Sequence, residues 1–225
     1  MCQSGGLAGS SQQHLTMRIL IADDHAVVRR GLKQILADEF KKADFGEASN
    51  AREALDRIRK EKWDTVVLDI TMPGRSGLEA LKEIKEARPK LPVLVLSMHP
   101  EDQFAVRVLK SGASGYMTKE SAPEELVGAV KKVLGGGRYV SAALAEKMAS
   151  YLAIDTPKPP HERLSDREFV VLRMIASGKT VSRIAAELSL SVKTVSTYRT
   201  RILEKMAMTS NAELTHYAIK NQLVE

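Results

Sequence analysis

Cysteine is almost absent. The single Cys2 in 225 residues rules out an internal disulfide framework, which fits a reducing compartment. No apolar run approaches the roughly 18–20 residues needed to span a bilayer. The opening stretch Met1 to Thr16 has neither a basic n-region nor an apolar h-region, so it does not read as a secretory signal. It reads as a polar tail without structure, and a cytoplasmic protein with no membrane partner is expected. Internal repeats and low-complexity tracts are lacking too. What is there is an ordinary globular composition, with 44% hydrophobic and 28% charged residues. Such a chain buries a real core without a disulfide or metal staple. The net charge is +6, and half of it falls in residues 161–225, which carry ten Lys/Arg against seven Asp/Glu. A denser basic excess in a short C-terminal part hints at nucleic acid.

From residue 17 to about 137, short apolar runs alternate with amphipathic stretches of helical length. The runs are Ile19–Ala22, a weaker one near Phe45, Thr65–Leu68, Val93–Leu96 and Ser114–Met117. β-branched runs without polar alternation predict strands covered on both faces, hence a parallel sheet flanked by helices. Asn50, Ser76 and Ser121 each stand three residues before a Glu, the signature of an N-terminal capping box, and Asp24 is placed to cap the first helix. Five β/α units result, the last stopped by Gly135-Gly136-Gly137. A short helix is predicted over 141–152. The proline-rich segment ending at Pro160 reads as an interdomain linker. Four short helices follow, opening after Ser165, near Val181, after Ser191 and after Ser210. The expected architecture is α/β, a five-stranded parallel (βα)5 domain plus a small all-α four-helix domain. Its divisions are a tail at 1–16, the first domain at 17–138, a linker with a short helix at 139–160, and a C-terminal domain at 161–225.

Ligands of parallel α/β sheets bind beyond the C-terminal strand ends. Asp23 and Asp24 follow the first strand, Asp69 ends the third, Ser97 ends the fourth and Lys119 follows the fifth. Three converging carboxylates repel one another unless a cation sits among them, and a hard divalent ion such as Mg²⁺ suits oxygen ligands. A lysine beside them suits a phosphoryl group. Singly, each residue has a plainer reading as a cap or loop residue; five of them at the ends of four strands form a pattern.

Ile-Ala-Asp23-Asp24-His, Val-Leu-Asp69-Ile-Thr-Met-Pro-Gly, Leu-Ser97-Met and Gly-Tyr116-Met-Thr-Lys119 resemble the signature of two-component receiver domains, over about 120 residues. The resemblance implies that Asp69 is the phosphoacceptor for a sensor histidine kinase. It implies that Asp24, Asp69 and the backbone carbonyl of Thr71 bind Mg²⁺, with Asp23 helping through water. Lys119 and Ser97 would hold the phosphoryl group, and Tyr116 would turn inward as they do, shifting a dimer surface. Glu120 replaces the proline that commonly follows the lysine. A haloacid-dehalogenase-type phosphohydrolase needs a second Asp two residues after the first, where this chain has Thr71. A receiver serving only as a dimerisation module is the remaining alternative.

In the C-terminal part, Ile184–Leu190 and Ser191–Met206 have helix-turn-helix spacing. Val195, Tyr198, Ile202 and Met206 share one face and are expected to be buried. Lys193, Thr194, Ser196, Thr197, Thr200, Arg201 and Lys205 are the expected DNA contacts, with Ser196, Thr197 and Thr200 toward bases and Lys193, Arg201 and Lys205 toward phosphates. Arg199 lies beside the buried face and either pairs with Glu168 or reaches DNA. A bundle with a solvated basic face is the plainer reading, but small Ser and Thr residues suit a helix lying deep in a groove. These residues resemble the LuxR-type helix-turn-helix of the NarL/FixJ response regulators, with Tyr198 where the family usually has His. The combined resemblance implies a non-enzymatic transcription regulator that catalyses only its own phosphotransfer and dephosphorylation. It would dimerise on phosphorylation, bind double-stranded promoter DNA and engage RNA polymerase. It also implies that the receiver covers the recognition helix before phosphorylation, with 153–160 as the hinge.

Overall fold

The computed structural model describes residues 16–72, 77–98, 101–142, 144–146 and 159–224. The Ser76 cap, Pro73, residues 1–15 of the expected tail and most of the expected linker lie outside these residues. So does the second half of the short helix, whose described part is helical at 142 and 144–146.

The first domain has five strands: β1 (Arg18–Ala22), β2 (Asp44–Ala48), β3 (Thr65–Asp69), β4 (Val93–Ser97) and β5 (Gly115–Thr118). All pair in parallel, in the order β2-β1-β3-β4-β5. The crossovers are α1 (Ala26–Glu39), α2 (Ala51–Lys60), α3 (Gly77–Ala87) and α4 (Glu101–Lys110), and α5 (Ala122–Leu134) closes the domain. Successive strand residues point to opposite faces, and both faces are apolar. Ile19, Ile21, Val67, Leu94 and Leu96 pack with Leu32 and Leu36 of α1 and Leu126 and Val130 of α5. Leu20, Val66, Leu68, Val93 and Val95 pack with the inner faces of α2 to α4. Burial on both sides is why the strands read as unbroken apolar runs.

Asn50 caps α2 as its sequence predicts, accepting from the Glu53 N–H while Glu53 reaches back to the Ser49 N–H. Ser121 does not cap α5. Its backbone is helical, and its hydroxyl donates to the Thr118 carbonyl instead. Asp24 does not cap α1 either. The N-cap residue is His25, without a side-chain cap, and its N–H donates to Asp23. Asp24 is thus left for the pocket.

After a 3₁₀ turn at Pro160–Arg163 come α6 (Asp166–Ala176), α7 (Val181–Glu187), α8 (Val192–Met206) and α9 (Asn211–Lys220). Three are capped where expected, and Thr180 adds a cap to α7 beyond those expected. Ser165 and Glu168 form a full capping box, and Thr180, Ser191 and Ser210 each accept from the N–H three residues on. A capping residue of this kind stabilises a helix by about 1 kcal/mol, which matters for helices this short.

The apolar core of this second domain is continuous with the α2–α4 side of the first. The contact has a polar seam. Arg107 of α4 donates to the carbonyls of Leu164 and His161, pairs with Asp166 at 3.5 Å and lies 4.3 Å over the Phe169 ring. Lys82 meets Asp166 at 2.7 Å, Lys110 meets Glu162 at 3.6 Å and Glu79 meets Arg167 at 3.7 Å.

Candidate functional site: an acidic strand-end pocket and an exposed helix-turn-helix

The sheet order reverses between β1 and β3, and the pocket opens at that point, beyond the strand ends. Asp23 and Asp69 are each 1% exposed. Ligand atoms of Asp23, Asp24, His25 and Asp69 all lie within 4.8 Å of one another. Lys119 is held by its N–H donating to the Ser97 carbonyl, and its Nζ lies 2.7 Å from both Asp23 Oδ2 and Asp69 Oδ2. Burial works against the ammonium, but hydrogen bonds to Asp23 and Asp69 outweigh it and hold the Lys119 pKa above the usual lysine value. Asp69 Oδ1 accepts from both the N–H and the hydroxyl of Thr71, at 2.8 and 2.7 Å. Among the described residues, Asp24 Oδ1 is buried, with His25 Nδ1 3.0 Å away. An oxygen-rich set of three carboxylates fits a hard divalent cation.

The structure therefore brings Asp23, Asp24, Asp69, Thr71 and Lys119 together. Ser97 lies fully buried at the adjacent strand end. Tyr116 is fully buried within the core, so the inward position expected to follow phosphorylation is the one seen. Sequence reasoning missed two residues here. Arg29 donates to the Asp23 carbonyl at 2.7 Å and pairs with Glu47, and His25 Nδ1 sits 3.0 Å from Asp24. The Arg29 role depends on one turn of α1 and had no local signal; His25 was adjacent to the motif and was available.

On α8, Val195, Ile202 and Met206 are buried and Tyr198 packs against them, as the wheel predicts. Lys193, Ser196, Thr197, Thr200 and Arg201 are exposed, and Thr194 is half-buried with its hydroxyl 2.7 Å from that of Ser191. Thr197 and Thr200 donate to the carbonyls of Lys193 and Ser196. Lys205 departs from the expectation in part, because its ammonium pairs with buried Glu168 at 2.6 Å. Arg199 donates to Asn211 at 2.6 Å rather than pairing with Glu168. Among the described residues, the face of α8 that carries Lys193, Ser196, Thr197, Thr200 and Arg201 is exposed, and the receiver meets the 3₁₀ turn and α6 instead of covering it as the family resemblance implies.

Residues 19–131 match the family described as response regulator receiver domain, and residues 162–218 match the bacterial regulatory proteins of the luxR family. The chain is 36% identical over 208 residues to the response regulator UvrY of Escherichia coli K12, covering 92% of this chain and 95% of that one. It is 38% identical over 212 residues to the response regulator GacA of Pseudomonas aeruginosa, covering 93% and 98%. Among solved structures, RcsB from Salmonella enterica serovar Typhimurium, bound to promoter DNA in the presence of a phosphomimetic, is similar with a TM-score of 0.56. That match has 27% identity and covers 90% of this chain and 97% of that one.

Proposed function

The chain belongs to the NarL/FixJ-type response regulators, which join a receiver to a LuxR-type DNA-binding domain, and on that premise we propose that Asp69 is its phosphoacceptor. It is a regulator of transcription with a site suited to a divalent metal. The observation that carries the Asp69 assignment is the Lys119 ammonium 2.7 Å from an Asp69 oxygen, within a cluster of three carboxylates. In the proposed reaction a carboxylate oxygen of Asp69 attacks the phosphorus of a phosphohistidine on a sensor kinase, in line. The new P–O bond forms as the P–N bond breaks and the imidazole leaves. Lys119 neutralises charge on the transferring oxygens, and the Ser97 hydroxyl donates a hydrogen bond to a phosphoryl oxygen. Mg²⁺, held by Asp24, Asp69 and the Thr71 carbonyl with Asp23 helping through water, would supply charge neutralisation of the phosphoryl oxygens. The product is an acyl phosphate, which the same pocket hydrolyses slowly.

The phosphorylated chain pairs as a homodimer and places two copies of α8 in successive major grooves of promoter DNA. Lys193 and Arg201 contact phosphates, and Thr194, Ser196, Thr197 and Thr200 face the bases. Each hydroxyl now spent on a helix carbonyl rotates outward at little cost. Lys205 reaches a phosphate only by leaving Glu168. RNA polymerase is the expected downstream partner, and the cytoplasm the expected location. Labelled phosphate from acetyl phosphate, compared between wild type and Asp69→Asn, tests the acceptor. Binding to a two-half-site duplex with and without beryllofluoride tests the output.

A further inference from the structure

Thr71 touches two things at once. Its hydroxyl and N–H both end on Asp69 Oδ1. It also lines, with Ile70 and Leu78, one wall of a cleft of about 290 Å³ whose other wall is Val170, Met174 and Leu188 of the DNA-binding domain. The segment has little freedom to move alone. Gly77, the first residue of α3, donates its N–H to the Ile70 carbonyl at 3.1 Å. A Cβ on Gly77 would lie 2.4 Å from the Asp69 carbonyl oxygen and 2.5 Å from the Ile70 Cα. The start of α3 is thus packed backbone-to-backbone on the end of β3. The same helix carries Leu78 into the cleft, and Glu79 and Lys82 into ion pairs with Arg167 and Asp166.

We propose that Thr71 is a positioning residue that couples Asp69 directly to the DNA-binding domain across this cleft, a path separate from Ser97 and Tyr116. The proposal rests on Asp69 being the phosphoacceptor. Forming the acyl phosphate replaces the carboxylate by a neutral carbonyl oxygen and an ester oxygen. The charge-assisted hold on the Thr71 hydroxyl and N–H is thereby lost, and the hydroxyl is free to turn to a phosphoryl oxygen. Movement of Thr71 changes one wall of the cleft and shifts α3, to which the opposite domain is tied by its ion pairs. Packed walls respond to such shifts by repacking rather than by smooth deformation.

The test uses the full chain loaded with beryllofluoride and Mg²⁺, with loading followed by ¹⁹F NMR. The reporter is the ¹³C-methyl resonance of Met174, assigned with Met174→Leu. In wild type, loading moves the Met174 signal. In Thr71→Val, which keeps the shape and removes the hydroxyl, beryllofluoride and Mg²⁺ are raised until ¹⁹F NMR shows the pocket filled, and Met174 stays where it was; Thr71→Ser restores the movement. Coupling is reciprocal, so Val170→Asp, placed in the far wall, changes the beryllofluoride half-saturation by about fivefold or more, and does not do so in the Thr71→Val background. A Thr71→Val chain that loads and moves Met174 as wild type does overturns the proposal. If Thr71→Val fails to load, Val170→Asp alone decides, and an unchanged half-saturation overturns it. A wild type that takes up no beryllofluoride, or an Asp69→Asn that takes it up as well, indicts the Asp69 reading instead.

Discussion

Lys205 Nζ lies 2.6 Å from Glu168 Oε2, and Glu168 is almost wholly buried. The lysine that the sequence assigns to a DNA phosphate is thus also the counter-charge of the capping box that opens α6. Burial works to raise the Glu168 pKa, but the Lys205 ammonium and the Ser165 backbone and hydroxyl donors hold it below the usual glutamate value.

Lys205→Ala should therefore cost stability before it costs DNA affinity. Removing one partner leaves a buried charge with fewer donors, a loss of about 1–3 kcal/mol; the exposed half of the Lys205 side chain argues for the lower end. Thermal unfolding should show the drop. The slope of log affinity against log salt should barely change, whereas Lys193→Ala should reduce its magnitude by about 0.9. Equal slope changes for the two variants would restore Lys205 to the phosphate contacts.

Much of this was legible beforehand for a physical reason. Strands covered on both faces leave long β-branched runs, so Ile19–Ala22, Thr65–Leu68 and Val93–Leu96 stood out, and strand-end placement then put Asp23, Asp69, Ser97 and Lys119 together. Side-chain periodicity likewise gave the buried face of α8. What escaped depends on contacts distant in sequence. Glu168 and Lys205 are 37 positions apart, and Arg107 finds carbonyls more than 50 positions away. Ser121 fits the capping pattern, yet its backbone is helical and its hydroxyl donates to the Thr118 carbonyl instead of accepting from the Glu124 N–H. The pattern constrains residue types, not the backbone conformation that lets a hydroxyl act as a cap.

Arg107→Ala should loosen the docking of the two domains. It removes two hydrogen bonds to backbone carbonyls, one of them at 2.9 Å, the stacking over Phe169 at 4.3 Å and the pair with Asp166. Charged hydrogen bonds of this kind are worth about 1.5–3 kcal/mol each at best. Small-angle scattering of the full chain should show a larger radius of gyration. Asp166→Asn, which weakens the same seam from the other side, should move it the same way by a smaller amount. An unchanged radius in both would show that the apolar contact alone holds the domains.

The seam should also weaken in mild acid. His161 is buried, with Nδ1 2.8 Å from the Tyr217 hydroxyl, and its ring lies near Phe169. Burial first, and the Arg107 charge second, push its pKa below the usual histidine value, with Glu162 opposing. The unfolded chain therefore binds the proton more readily than the folded one. The stability contributed is present above the unfolded value near 6.5 and is lost as pH falls through the folded pKa. Urea midpoints should drop between pH 7.5 and about 5.5, and His161→Gln should flatten that drop. The same slope in the variant would place the titration elsewhere.

The central claim is that Asp69 receives the phosphoryl group, and uptake of labelled phosphate tests it most directly. The chain is incubated with acetyl phosphate and Mg²⁺, alongside a phosphorylated histidine kinase domain as a second donor, and labelling is compared with Asp69→Asn. The account predicts one alkali-labile phosphoryl group in wild type and none in Asp69→Asn, with the mutant folded as judged by its unfolding transition. Label retained in Asp69→Asn, or wild type unlabelled by either donor, would contradict it.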